Sequence, residues 1–258
     1  MRTKRQEEET GANNSDETDL QIALPEPSLQ LEQDEEWIVV KVDGEWRQIR
    51  LHEYRELYRV PGLYDKVIYD VLDCQSPNVV RRLLQEELQR DGENPEELTV
   101  LDLGAGSGIV GEELEEMHVK EVVGVDILPE AQEAAWRERP DVYCDYVVGD
   151  ITKLSPENKR VLDNYDFNCL TCVAALGFGD IPPPAFSAAL DRVETDGWVA
   201  FNIKSDFLNG DDPSGFADFI RDAGHDGSLE ILREREYPHR CSTTGGPILY
   251  SALVARKH

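Results

Sequence analysis

The sequence predicts an α/β fold, a doubly wound and mostly parallel sheet that ends in an antiparallel hairpin. Three observations predict it. A glycine-rich turn, Gly104-Ala-Gly-Ser-Gly108, joins the apolar run Val100, Leu101, Leu103 to a helical pattern opened by Ile109, Val110 and Leu114. From Leu98 onward, strand-like and helix-like segments alternate regularly. The last two β-rich runs, 228–236 and 247–256, are joined by a Gly-rich link without a helix, so they should pair antiparallel at one edge. Together these describe a Rossmann-like sheet with its ligand crevice at the carboxyl ends of the strands.

The elements follow in order. Residues 1–34 carry Glu7-Glu-Glu9, Asn13-Asn14-Ser15-Asp16 and Pro25-Glu-Pro27 with few large apolar side chains, and are expected to be a disordered acidic tail. Residues 35–97 should form a small N-terminal hairpin and helical appendage. Within it, two β-rich runs between Trp37 and Leu51 flank the turn signal Asp43-Gly44. Leu63, Val67, Ile68, Val71 and Leu72 then fit a short amphipathic helix. Ser76-Pro77 reads as an N-cap and first helical position of a helix through Val80, Leu84 and Leu88, closed by Gly92. The main domain, 98–258, has strands expected near 98–103, 121–126, 145–149, 165–172 and 197–203, and Pro182-Pro-Pro184 should lead into a helix starting at Ala185.

Composition narrows the function. Fifty-three acidic residues stand against 26 basic ones, a net charge of −27. Nucleic-acid binding depends on Lys and Arg neutralising phosphates, so no nucleic-acid partner is expected. The sequence lacks a run of about 18 apolar residues and an apolar N-terminal core, which points to a cytoplasmic protein with no membrane partner. The five cysteines, Cys74, Cys144, Cys169, Cys172 and Cys241, are odd in number, against a disulfide framework. Cys169-Leu-Thr-Cys172 lacks a second ligand pair and ends an apolar run, so both thiols are expected to be buried and no metal is expected.

The glycine turn admits two chemistries. Gly106, Gly108 and Gly111 match the dinucleotide pattern, a weak signal by itself. Asp102-x-Gly104-x-Gly106-x-Gly108 adds a carboxylate, which would repel a pyrophosphate and attract a ligand bearing an ammonium or sulfonium group. Asp126 ends the second strand about 20 positions past the turn, where an acidic residue hydrogen-bonds a ribose diol. Asp150 ends the third strand in the same way, with a helix cap as its alternative role. On these residues the chain resembles the class I S-adenosylmethionine-dependent methyltransferases, over about residues 62–258. The resemblance implies S-adenosyl-L-methionine as cofactor, Ile127 against the adenine face, Asp150 on the adenine amino group and the Ile151 amide on a ring nitrogen. Cofactor contacts are thus expected at Asp102, Gly104, Ala105, Gly106, Gly108, Asp126, Ile127, Asp150, Ile151 and Cys172.

The acceptor is less legible. Methyl transfer from a sulfonium proceeds largely by proximity and orientation, and a base is needed only when the acceptor must lose a proton. Tyr64-Asp65, with Tyr69 beyond, resembles the family's lid segment, and two ring anchors of a helix are the alternative. The segment 171–184 lacks the Asn/Asp-Pro-Pro-Tyr/Phe motif of amino-methylating nucleic-acid enzymes, and Asp196 to Lys204 resembles small methyltransferase-like proteins of the Williams–Beuren type. A small-molecule acceptor, methylated at O, N or C, is expected, with Tyr64, Asn202, Lys204 and His239 as candidate contacts. Two other functions compete: a nicotinamide-dependent oxidoreductase on the same sheet, and a cofactor-binding regulatory protein without chemistry.

Overall fold

The structure is a computed structural model that describes residues 20–208, 212 and 214–258. Among these residues, seven strands form the main sheet: β4 (Thr99–Leu103), β5 (Glu121–Asp126), β6 (Asp145–Val148), β7 (Phe167–Cys172), β8 (Val193–Lys204), β9 (Leu229–Cys241) and β10 (Pro247–Lys257). Their order is β6-β5-β4-β7-β8-β10-β9. The β4–β5, β5–β6, β4–β7 and β7–β8 pairings are parallel, and β10 pairs antiparallel with both β8 and β9. The predicted edge hairpin is therefore present, with its second strand inserted next to β8.

Period-two alternation sorts the strand residues onto two faces. Val100, Val122, Cys169 and Trp198 join the cluster covered by α3 (Ser76–Asp91) and α4 (Ile109–Glu116). Leu101, Val123, Leu170 and Val199 join the opposite cluster, with residues of α6 (Pro156–Leu162), α7 (Pro183–Leu190) and α9 (Phe216–Asp226). Strand β4 is buried at every position, Thr99 and Asp102 included, so its apolar residues Val100, Leu101 and Leu103 do not show a clean alternation.

The N-terminal part is a second, three-stranded antiparallel sheet, β1 (Ile22–Ala23), β2 (Trp37–Val42) and β3 (Glu45–Arg50). It is followed by α1 (Tyr54–Arg59) and α2 (Leu63–Asp65), which continues as a π-helical turn over Lys66–Val71. Ile38, Val40, Leu57, Leu63, Val67 and Leu72 form its core. The buried Arg240–Glu36 ion pair and the Thr243 amide bonded to Glu36 at 2.5 Å fasten it to the β9–β10 link.

Four expectations need correction. Residues 20–34 are not a tail: Ile22 and Ala23 pair with Val40 and Val39, and Gln33 donates to the Tyr250 hydroxyl at 2.9 Å. Residues 1–19 lie outside the described residues. A two-residue strand held by backbone bonds leaves no apolar pattern to read. Second, α3 lies on the main sheet, so the boundary at residue 97 cuts through that layer. Third, Gln75 is the N-cap of α3, and the Ser76 hydroxyl instead meets Tyr237 and His239 at 2.6 Å each. Finally, α7 starts at Pro183, because proline is tolerated in a helix's first turn. The short α5 (Pro129–Glu138) and α8 (Ser205–Leu208) complete the helices used below.

Candidate functional site

In the main sheet β4 lies between β5 and β7, where the winding direction reverses. That reversal opens a crevice at the carboxyl ends of the strands. A cavity of about 730 Å³ occupies it, within the size range of small-molecule sites. Its floor is the turn after β4 and the ends of β5 and β6, and its roof is residues 52–69 and 173–185.

The floor is set by backbone geometry. The Gly104 and Ala105 amides both donate to the Val125 carbonyl, at 2.8 and 3.2 Å, so the turn folds across the end of β5. Gly106 has φ +55°, and a Cβ there would lie 2.6 Å from the Tyr58 hydroxyl. Only glycine lets the chain turn under that ring. The Gly106 amide donates to Asp126 Oδ2 at 3.0 Å and the Leu128 amide to Oδ1 at 2.9 Å. Burial pushes the Asp126 carboxyl above its ordinary range, against those two amide bonds. Each oxygen retains acceptor capacity, so the carboxylate can receive a diol while staying fixed. Ile127, 64% exposed beside it, offers an apolar face at the cavity rim.

Asp150 also lines the cavity, and its side chain caps the next turn by accepting from the Thr152 amide at 2.9 Å and hydroxyl at 2.6 Å. These bonds hold its carboxyl below the usual range. The cap role read from the sequence is therefore present, and the same residue stands on the cavity wall. Ile151 follows on the cavity wall.

Three expected cofactor contacts lie elsewhere. Asp102 is buried beneath the turn and accepts from Tyr143 Oη at 2.8 Å and Thr171 Oγ1 at 2.7 Å. Burial pushes its carboxyl up to about 6, against those two hydroxyl bonds. It supports the turn from below rather than presenting charge to a ligand. Gly108, with φ +92°, starts α4 against Tyr143 and Arg139, outside the cavity wall. Cys172 is fully buried in the sheet core. The β4 and β7 residues alternate in direction, and the glycine spacing does not reveal which side each faces.

The roof is an aromatic layer. Tyr54, Tyr58, Tyr64 and Tyr69 all line the cavity, with adjacent ring centroids 6.4, 4.8 and 6.2 Å apart along the series. Tyr54 and Tyr58 sit at i and i+4 on α1, a spacing that places them on one helix face. That spacing is the signal the sequence carried for them. Arg139 ties roof to floor: it meets Asp65 Oδ2 at 2.7 Å, Glu112 at 2.7 Å and the Ser107 carbonyl at 3.2 Å.

Of the acceptor-contact candidates, Tyr64 alone faces this cavity. Asn202 is buried in a polar knot, with Oδ1 accepting from the Ala174 amide and Nδ2 donating to Ser76 Oγ and Tyr237 Oη. His239 belongs to the same knot, 2.6 Å from Ser76, and burial then Arg240 hold its ring well below the ordinary range. Lys204 pairs with Asp206 at 3.6 Å and lies over the Phe178 and Phe207 rings. In their place the cavity presents His52 and Asp180. His52 Nδ1 lies 3.5 Å from Asp180 Oδ2, and the Tyr54 hydroxyl donates to the same oxygen at 3.4 Å. Burial lowers the His52 ring, partly offset by Asp180, and burial raises the Asp180 carboxyl.

Residues 100–196 match a family model described as a methyltransferase domain. The mitochondrial ubiquinone biosynthesis O-methyltransferase of Candida albicans is 30% identical over 132 residues, 48% of this chain and 38% of that protein. The match thus spans well under half of the relative's length. A solved S-adenosylmethionine-dependent methyltransferase from Clostridium acetobutylicum superposes with TM-score 0.53 at 16% identity, covering 76% of this chain and 96% of that one. A Pyrococcus horikoshii protein provisionally assigned as an RNA methyltransferase gives TM-score 0.51 at 17% identity, covering 70% and 84%. Sheet order, glycine turn and domain match define a class I methyltransferase fold. Residues 100–196 thus match a methyltransferase domain, and the solved structures share the fold.

Proposed function

We propose that the chain transfers a methyl group from S-adenosylmethionine to a small-molecule acceptor. The observation that carries this reading is Asp126, clamped by the Gly106 and Leu128 amides with its carboxylate on the cavity wall. When bound, the cofactor supplies an activated methyl on a sulfonium. Asp126 would take the ribose diol, Ile127 an adenine face, Asp150 the adenine amino group and the Ile151 amide a ring nitrogen. The tyrosine roof would exclude water and hold a flat acceptor. The enclosed roof and the net charge of −27 favour a small molecule over nucleic acid. The Candida albicans relative is by its name an O-methyltransferase, which favours oxygen as the methylated atom.

Calorimetry tests the reading. S-adenosylhomocysteine should bind, and more tightly than reduced nicotinamide dinucleotides. Micromolar affinity for NADH with no binding of either adenosyl sulfur compound would favour the oxidoreductase instead.

A further inference from the structure

The cavity wall has a part that the cofactor contacts leave unused. His52 comes from the link between β3 and α1, and Asp180 from the loop after β7, two segments brought together only by the fold. Among the described residues lining the cavity, His52 is the sole imidazole, the side chain whose ordinary titration range lies nearest neutrality. Asp126 has both oxygens engaged by amides and Asp150 is held by Thr152. With Nδ1 turned to Asp180, Nε2 is the ring nitrogen left to accept a proton. Tyr54 and Tyr64 stand beside this pair and give that part of the wall flat apolar faces.

We propose that His52, oriented by Asp180, is the general base for an aromatic acceptor that carries a hydroxyl group. This rests on the methyl-transfer reading above. The acceptor oxygen gives its proton to His52 Nε2 and forms a bond to the methyl carbon. The bond from that carbon to the sulfonium sulfur breaks, and its electron pair stays on sulfur as a neutral thioether. The proton leaves His52 to solvent when the products depart. Burial keeps the ring neutral and its lone pair available before the reaction, while Asp180 stabilises the imidazolium that forms.

The groups facing His52 come from several elements: Asp180 from the loop after β7, Arg240 from β9, and Asp34 and Glu36 ahead of β2. The Tyr54 ring and the Phe178 edge complete its surroundings. Arg240 is already paired with Glu36, so Asp180 is the charge whose removal should move His52 most.

The test compares wild type, His52→Gln and Asp180→Asn with labelled S-adenosylmethionine and two acceptors, phenol and 4-nitrophenol. At about pH 8.5 phenol is still mostly protonated, whereas 4-nitrophenol is almost fully ionised. His52→Gln should bind S-adenosylhomocysteine within about threefold of wild type, which also shows that it is folded. Its turnover of phenol should fall by about 100-fold or more, and of 4-nitrophenol by less than about tenfold. Asp180→Asn should shift the acid limb of kcat/KM for phenol to lower pH, because the Asp180 charge raises His52 and its removal lets the ring titrate lower. Equal losses on both acceptors, or no loss on phenol, overturn the proposal. Wild type that binds S-adenosylhomocysteine but labels neither phenol also overturns it and leaves the cofactor reading standing. Wild type that does not bind S-adenosylhomocysteine overturns both.

Discussion

The floor and the roof of the cavity are built by different means. The floor is the ends of adjacent parallel strands, so ladder hydrogen bonds between β4, β5 and β6 fix where Gly104, Asp126 and Asp150 stand. The roof is assembled from segments far apart in sequence and held by side chains. Tyr54 reaches Asp180 across 126 positions, and Asp65 reaches Arg139 across 74. Backbone-built sites leave periodic signatures in a sequence, because each strand end must be followed by a turn. Side-chain-built sites leave none. The floor should therefore tolerate little change, and the roof should loosen by degrees.

The largest effect is expected from Gly106→Val. A β-branched residue at φ +55° is strained, and its Cβ would press on the buried Tyr58 hydroxyl. S-adenosylhomocysteine affinity should drop by about 100-fold, equivalent to about 3 kcal/mol, in calorimetry on a variant with native circular dichroism. Binding within about threefold of wild type would show that the turn is not part of the cofactor floor. Asp126→Ala comes next. Loss of a charged acceptor for two ribose hydroxyls should weaken binding by about 1.5–3 kcal/mol. An unchanged Kd would remove Asp126 from the site.

The same contrast explains what was legible. Strands β4 to β8, the edge hairpin and the carboxylates at 126 and 150 follow from apolar runs and their terminating turns. Asn202 and His239 looked equally plausible as functional residues, since a polar residue at a strand end is a common signature. The sequence could not show that Ser76 and Tyr237 would meet both of them and close a buried knot. His52 and Asp180 carried no local pattern, and their pairing needs the packing of the appendage against the loop after β7.

Arg139→Ala sharpens the comparison from the roof side. It removes the ties to Asp65, Glu112 and the Ser107 carbonyl, and leaves the strands untouched. Cofactor affinity should fall by about five- to tenfold, on the order of 1 kcal/mol. Amide exchange should rise over residues 54–71 and stay constant over 99–103. Equal acceleration in both segments would show that roof and floor open as one unit.

The smallest effect on binding is expected from Asp102→Asn, although the sequence put Asp102 first among the carboxylates facing the ligand. The side chain lies below the turn and is satisfied by two hydroxyls, each of which can reorient to suit an amide. S-adenosylhomocysteine affinity should change by less than about threefold. The consequence should appear in stability. Burial raises the folded carboxyl from 3.8 to about 6, so between those values the folded chain keeps a proton that the unfolded chain has released. Stability from this group is present below about pH 4 and is lost as pH rises through about 6. The loss amounts to roughly 2–3 kcal/mol by pH 7. Asparagine does not titrate, so the melting temperature of the variant minus that of wild type should increase from pH 4 to pH 7 and then level off. A tenfold loss of affinity with a pH-independent difference in melting temperature would instead return Asp102 to the ligand.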